Sequence, residues 1–185
     1  IEIPITERQY DLGFVGRFSE IKGVVQFATA AKEIVNTHPN AHVVLIGDGP
    51  LFEKVRNIVG DSERIMVRGW VEHNRIHEQY NQIQVLFAPS KSEGLPTTLL
   101  EAMGCGVVVA STPVGSVTDI VIDGETGFLL DDHNTAEMLS CYDRIQSRND
   151  MAAISTAARD SVRDTYSKRA AQDRFTEITS IIATM

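Results

Sequence analysis

The chain has 185 residues, 17 Lys and Arg against 25 Asp and Glu, a formal net charge of −8 and 43% hydrophobic residues. That composition excludes a disordered or low-complexity chain, and the length is enough to bury roughly 70% of the unfolded surface around one core. The acidic balance argues against nucleic-acid binding and a polybasic membrane patch, and no apolar run approaches the roughly 20 residues that span a bilayer.

The sequence starts at Ile1, without an initiator Met or a secretory signal, and reads as a piece of a longer polypeptide. Residues 11–15 (DLGFV) form the first expected strand, closing into Gly16. Residues 22–37 place Val24, Val25, Phe27, Ala28, Ala31, Ile34 and Val35 at helical spacing, until Pro39-Asn40 interrupts. Residues 42–46 (HVVLI) are a continuous apolar run, the pattern of a strand covered on both faces. Gly47-Asp48-Gly49-Pro50 turns the chain into a helix that runs to about Val59. A third strand spans 65–68, ending at Gly69-Trp70, and a short helix spans 75–82. Residues 85–88 are a buried strand, 89–95 a loop and 96–105 a helix. A strand at 107–110, a short helix at 116–122 and a strand at 127–130 follow. Helices are expected over 135–147, 152–166 and 167–183, the last with Ser167 as N-cap. Six apolar strands alternating with helices imply an α/β fold, a doubly wound parallel six-stranded Rossmann-like sheet with carboxyl-terminal helices. Ligands of such sheets sit beyond the carboxyl ends of the strands, so the turns after the strands are where chemistry is sought.

In the first turn, Arg17 offers a planar fork for phosphate oxygens and Lys22 a mobile point charge. A cation at a helix start opposes the dipole, which suggests an anionic partner for Lys22; on spacing alone the pair also reads as solvated surface charge. The second turn, Ser90–Leu95, leads into Pro96-Thr97-Thr98-Leu99, whose amides open a helix and form an anion site. Glu93 in the loop and Glu101 about one turn into the helix are eight residues apart, and a carboxylate accepts hydrogen bonds from vicinal hydroxyls. Cys105 and Cys141 lie far apart, outside any CxxC or Cys/His cluster, and read as reduced cysteines packed as small apolar residues. The five histidines show no metal spacing with carboxylates, and Asp131-Asp132 reads as a helix-start acidic cluster. Trp70 either borders a base site or caps the core.

Together these residues resemble the carboxyl-terminal half of a GT-B-fold retaining glycosyltransferase of the Glu-x7-Glu family (group 1, family four). Glu93 and Glu101 match that signature, and Arg17 and Lys22 match the basic pair of G-R-x4-K-G. Gly47-Asp48-Gly49-Pro50, Ala88-Pro89-Ser90, Glu101-Ala102-Met103 and Asp123-Gly124-Glu125-Thr126-Gly127-Phe128-Leu129 match in the expected order. The resemblance implies one nucleotide-sugar-binding domain over residues 1–185, with the acceptor domain that precedes it in the family absent. It implies that Arg17 and Lys22 bind the diphosphate of a UDP- or GDP-linked sugar, supplemented by Gly16 and by the backbone of Gly94, Leu95, Pro96 (which lacks an N–H), Thr97, Thr98 and Leu99. Glu101 holds the ribose hydroxyls, and Trp70 and Val71 face the base. Glu93 contacts the transferred hexosyl group and stabilises positive charge near the anomeric carbon, so Glu93, Arg17 and Lys22 are the candidate catalytic residues. Transfer proceeds with retention, without cofactor or metal, by a front-side route to a sugar, lipid or other acceptor. This half alone is expected to bind without efficient turnover, in the cytoplasm, with peripheral membrane attachment where the acceptor is a lipid.

Two departures from the family stand out. Val107-Val108-Val109 replaces a Pro that often precedes the apolar strand, and Gly115-Ser116-Val117-Thr118-Asp119 replaces Gly-Gly-x-x-Glu, where Ser116 is expected to stiffen the loop. A nucleotide-sugar epimerase of the same architecture fits the motif combination less well. A dinucleotide-dependent oxidoreductase requires G-x-G-x-x-G, which Gly13-Phe14-Val15-Gly16 does not supply. A non-catalytic nucleotide-binding module fits poorly with the intact Arg17, Lys22, Glu93 and Glu101.

Overall fold

The computed structural model describes residues 3–167 and Gln172. Six parallel strands lie in the order β3-β2-β1-β4-β5-β6. They are β1 (Tyr10–Val15), β2 (Val43–Ile46), β3 (Ile65–Arg68), β4 (Ile83–Ala88), β5 (Val108–Ser111) and β6 (Phe128–Leu129). The order reverses between β1 and β4, and the crevice at that switch point is where ligands of this architecture sit. The register aligns Val15 with Ile46 and Ile46 with Arg68, so the loops after β1, β2 and β3 emerge side by side.

Helices cover both faces. On one, α1 (Val24–Thr37) packs against α2 (Phe52–Val59) and α6 (Thr135–Gln146). Its buried Val24, Phe27, Ala28, Ala31, Ile34 and Val35 recur every three or four residues, the stripe that faces Leu12, Phe14, Val43 and Leu45. On the other, α3 (Ile76–Tyr80), α4 (Thr97–Gly104), α5 (Val117–Ile120) and α7 (Met151–Tyr166) enclose Leu86, Leu99, Met103, Val107, Val109 and Ala158. β2 and β5 are buried along their whole length on both faces, as parallel packing demands.

Boundaries differ from expectation by at most two residues, for local reasons. The helix expected from Lys22 begins at Val24, because Glu20–Lys22 form a 3-10 turn that ends at Gly23 in the left-handed region (φ 69°). Lys22 therefore ends that turn, one residue before the α1 N-cap Gly23, and finds an anionic partner within the chain in Glu93. The helix expected over 75–82 shortens to α3, because His73–Arg75 adopt a separate 3-10 turn. The helix expected over 167–183 falls, apart from Ser167 and Gln172, outside the described residues. Both cysteines are free; Cys141 is buried and Cys105 half-buried.

At the amino ends of the strands, Arg8 is buried and pairs with no carboxylate among the described residues. It donates to the carbonyls of Ile3 (3.2 Å), Ile83 (2.8 Å) and Cys105 (2.9 Å). Burial lowers its pKa below the ordinary arginine value. The Cys105 carbonyl lies at the carboxyl end of α4, so one guanidinium ties the incoming chain to the helix that carries Glu101.

Candidate functional site

A cleft of about 630 Å³ opens beyond the carboxyl ends of β1, β2 and β3. The loop after β1 contributes Gly16 and Arg17, and the loop after β2 contributes Gly47, Asp48 and Gly49. Trp70 and Val71 follow β3, and Thr97, Thr98 and Glu101 come from the first turns of α4. His73, Ile76 and Tyr80 complete the lining. Seven of the residues expected at a donor site therefore face one space: Gly16, Arg17, Trp70, Val71, Thr97, Thr98 and Glu101.

Arg17 is exposed and makes no hydrogen bond or ion pair with the described residues. A guanidinium placed so offers all its donors to a ligand. Trp70 is 70% exposed, which resolves its two expected roles: it borders the cleft and does not cap the core. Glu101 is held at one oxygen, where the Tyr80 hydroxyl donates to Oε2 (3.2 Å). His73 Nδ1 lies 3.9 Å from the other oxygen, Oε1. The Tyr80 phenol is pushed well above its ordinary pKa, first by burial and then by the Glu101 charge, so it remains a donor across the accessible pH range.

Lys22 and Glu93 stand outside that lining, in a corner of their own. The Lys22 ammonium donates to Glu93 Oε1 at 2.6 Å, and the buried Ser90 hydroxyl donates to the same oxygen at 2.6 Å. Oε2 is left unused by either donor. The Glu93 side chain is 14% exposed and that of Lys22 32%, so solvent screens the pair only in part. Close backbone approach builds this corner. A Cβ on Gly23 would lie 2.2 Å from the Pro89 carbonyl oxygen, and one on Gly115 (φ 59°) would lie 2.1 Å from that of Glu93. The Lys91 amide donates to the Ile21 carbonyl (2.8 Å), the Ser116 amide to Gly94 (3.3 Å), and the Thr112 hydroxyl to the Ser90 carbonyl. Three loops are thus joined around Glu93.

The start of α4 is less open than its sequence suggests. The Thr97 amide donates to the Leu95 carbonyl (2.9 Å) and the Leu99 amide to Pro96 (3.0 Å). The Thr98 amide has no backbone acceptor among the described residues. Pro96 and Leu99 are buried, whereas Gly94 and Leu95 are exposed outside the cleft lining. Tyr80, His73 and Ser90, which meet Glu101 or Glu93, are not among the expected site residues. The residue pattern carries a usable signal for Tyr80 alone: a tyrosine buried at the end of a short helix needs a partner for its hydroxyl. Among the described residues, no group of three or more His, Cys, Asp or Glu is placed to hold a metal. No helix among them is long and apolar enough to cross a membrane.

A parallel α/β sheet with a cleft at its switch point, walled by an arginine, an indole and a carboxylate, defines a Rossmann-like domain. The comparisons with known proteins narrow this. The profile of the family Glycosyl transferases group 1 matches residues 2–158, and the chain belongs to that family. It is 34% identical over 140 residues, 74% of the chain, to an uncharacterized glycosyltransferase of Methanocaldococcus jannaschii. The crystallised C-terminal domain of a group 1 glycosyltransferase, LpcC of Francisella tularensis, superposes with a TM-score of 0.75 at 26% identity, covering 87% of this chain and 88% of that one. The pneumococcal O-GlcNAc transferase GtfA, solved with UDP and GlcNAc, shares the fold at TM-score 0.79 and 20% identity, over 98% of this chain and 38% of its own. The fold is that of GT-B carboxyl-terminal domains. The chain spans 38% of the M. jannaschii protein and 32% of a D-inositol 3-phosphate glycosyltransferase of Acidothermus cellulolyticus.

Proposed function

We propose that this chain is the donor-binding half of a retaining glycosyltransferase that takes a nucleoside-diphosphate hexose, with UDP or GDP as the leaving group. One observation carries the reading: an unpartnered guanidinium, an exposed indole and a pinned carboxylate face a single cleft at the switch point. A nucleotide sugar presents a flat base, a vicinal diol and a diphosphate, one feature for each. Trp70 and Val71 take the base, Glu101 the ribose hydroxyls and Arg17 the diphosphate. Lys22 keeps donors beyond the one given to Glu93 and adds its charge from the neighbouring corner. The fold shared with a transferase solved with UDP is in keeping with this assignment.

The chemistry follows from where charge develops. As the bond between the anomeric carbon and the diphosphate oxygen lengthens, negative charge grows on the leaving group and positive charge on the carbon. Arg17 and Lys22 stabilise the first, and the free Oε2 of Glu93 stabilises the second, all without a metal. A phosphate oxygen of the leaving group takes the proton of the acceptor hydroxyl as the new bond forms on the same face, which retains configuration. A domain preceding this one supplies the acceptor, so the present chain binds donor without efficient turnover. The whole enzyme works in the cytoplasm, peripherally at a membrane where its acceptor is a lipid. The test is sugar transfer by a polypeptide carrying both halves, against a panel of UDP- and GDP-hexoses, with the product's anomeric configuration read by NMR. One donor is expected to be transferred with its configuration kept. An inverted product contradicts the retaining route; nucleotide binding without transfer from any donor points to a binding module.

A further inference from the structure

Glu101 is surrounded differently at its two oxygens, and the difference has a chemical use. The residue is part-exposed at the cleft wall, on a long side chain that gains freedom whenever nothing holds it. Tyr80 is 1% exposed, its ring packed in the cluster that contains Leu99, Ala102 and Met103, and its hydroxyl reaches Glu101 Oε2. A phenylalanine would fill the same volume without burying a polar group, and a buried hydroxyl is stable only with a partner. The partner is a carboxylate oxygen of the cleft, and the other oxygen, Oε1, accepts no hydrogen bond among the described residues, with His73 still 3.9 Å away.

We propose that Tyr80 is a positioning residue for ribose recognition: by holding Glu101 Oε2 it fixes Oε1 toward the ribose hydroxyls and so sets the preference for ribonucleotides over deoxyribonucleotides. The inference rests on the donor-site reading and adds a residue and a selectivity to it. Tyr80 is nearly fully buried and its hydroxyl is engaged with Glu101, so its effect passes through Glu101. A carboxylate held in place is preorganised to receive a diol, and a site built around such a bond discriminates strongly against a ligand that lacks the hydroxyl.

The experiment is calorimetric titration of the 185-residue chain with UDP and GDP, each beside its 2′-deoxy and 3′-deoxy counterparts. The wild-type chain is expected to bind one ribonucleotide about tenfold to a hundredfold more tightly than at least one of its deoxy forms, the range of a hydrogen bond to a charged group. Tyr80→Phe is expected to weaken the ribonucleotide about three- to tenfold and to leave that deoxy form unchanged, so the ratio shrinks. In a Glu101→Ala background the ratio is already lost, and adding Tyr80→Phe is expected to change it no further. If Tyr80→Phe weakens ribo and deoxy forms equally, Tyr80 is only structural and the proposal fails while the donor site stands. The proposal fails equally if the variant leaves the ratio at its wild-type value. A melting curve of Tyr80→Phe separates a folding defect from either result, and Glu101→Gln, which keeps an acceptor for the Tyr80 hydroxyl, is expected to retain more of the ratio than Glu101→Ala. Should the wild-type chain bind none of the six nucleotides, the donor-site reading itself is wrong and this inference goes with it.

Discussion

The four charged residues of the motif fall into two corners that are built in opposite ways. Around Glu93 every charge is answered from within: Lys22 and Ser90 share one carboxylate oxygen, and three loops meet there through backbone contacts. Around the cleft Arg17 has no partner among the described residues, Trp70 stands in solvent, and Glu101 is tied down at one oxygen. The difference separates two tasks. A residue with no internal partner binds a ligand without first giving anything up, whereas under the proposed function Lys22 has to share or surrender its bond to Glu93 to reach a diphosphate. Positions in the first corner hold the fold and the site together; Arg17 serves the site alone.

The contrast is broken most severely at Gly115. An alanine there combines a left-handed backbone with a Cβ driven into the Glu93 carbonyl, and Gly115→Ala is expected to cost about 2–4 kcal/mol in chemical denaturation. Gly124 is the control, since its φ of 76° is also positive but the nearest atom to its added Cβ is a side-chain nitrogen of Arg148 at 3.7 Å; Gly124→Ala is expected to cost about 1–2 kcal/mol. Equal losses at the two positions would mean that close packing on Glu93 contributes nothing. Next comes the charge comparison. Lys22→Ala leaves a largely buried carboxylate with Ser90 alone and is expected to lose about 1–2 kcal/mol, whereas Arg17→Ala is expected to stay within about 0.5 kcal/mol of wild type. An Arg17→Ala chain as destabilised as Lys22→Ala would erase the distinction between the corners.

A smaller effect belongs to a region remote from both. Burial pushes the Cys141 thiol from 9.0 up to about 11, so the folded chain holds that proton more tightly than the unfolded one. Its stabilising contribution is complete below pH 9.0 and lost as pH rises through 11. Tyr142, buried beside it and pushed up to about 12, extends the decline to higher pH. The denaturation midpoint is expected to fall between pH 9.0 and 11, and Cys141→Ala to make that fall shallower. A slope unchanged by the substitution would remove Cys141 from the explanation.

Much of the fold is legible in the sequence because each strand is a short apolar run bounded by Gly or Pro, and each long helix carries a stripe at helical spacing. HVVLI and VVVA could only be strands buried on both faces, and the alternation with helices then leaves a parallel sheet. The edges were harder. Gly23 ends one turn and starts a helix in the same residue, which no periodicity reveals, so Lys22 was given to the wrong element. The site divides similarly. The motif residues that line the cleft were identifiable because glycines and charges cluster after the strands. Their pairing was not, because Lys22 and Glu93 are 71 residues apart and meet through the approach of Gly23 to Pro89 and the bond from Lys91 to Ile21. Tyr80 escaped notice for a related reason: its hydroxyl has meaning only once α3 is packed beside α4.

The central claim, that this cleft takes a nucleoside diphosphate on Arg17, is tested most directly by calorimetric titration of UDP and GDP into the wild-type and Arg17→Ala chains. One of the two nucleotides is expected to bind the wild type with a defined one-to-one stoichiometry, and Arg17→Ala is expected to weaken it at least about tenfold at unchanged melting temperature. Equal affinity for that nucleotide in both chains, or none in the wild type, would contradict it.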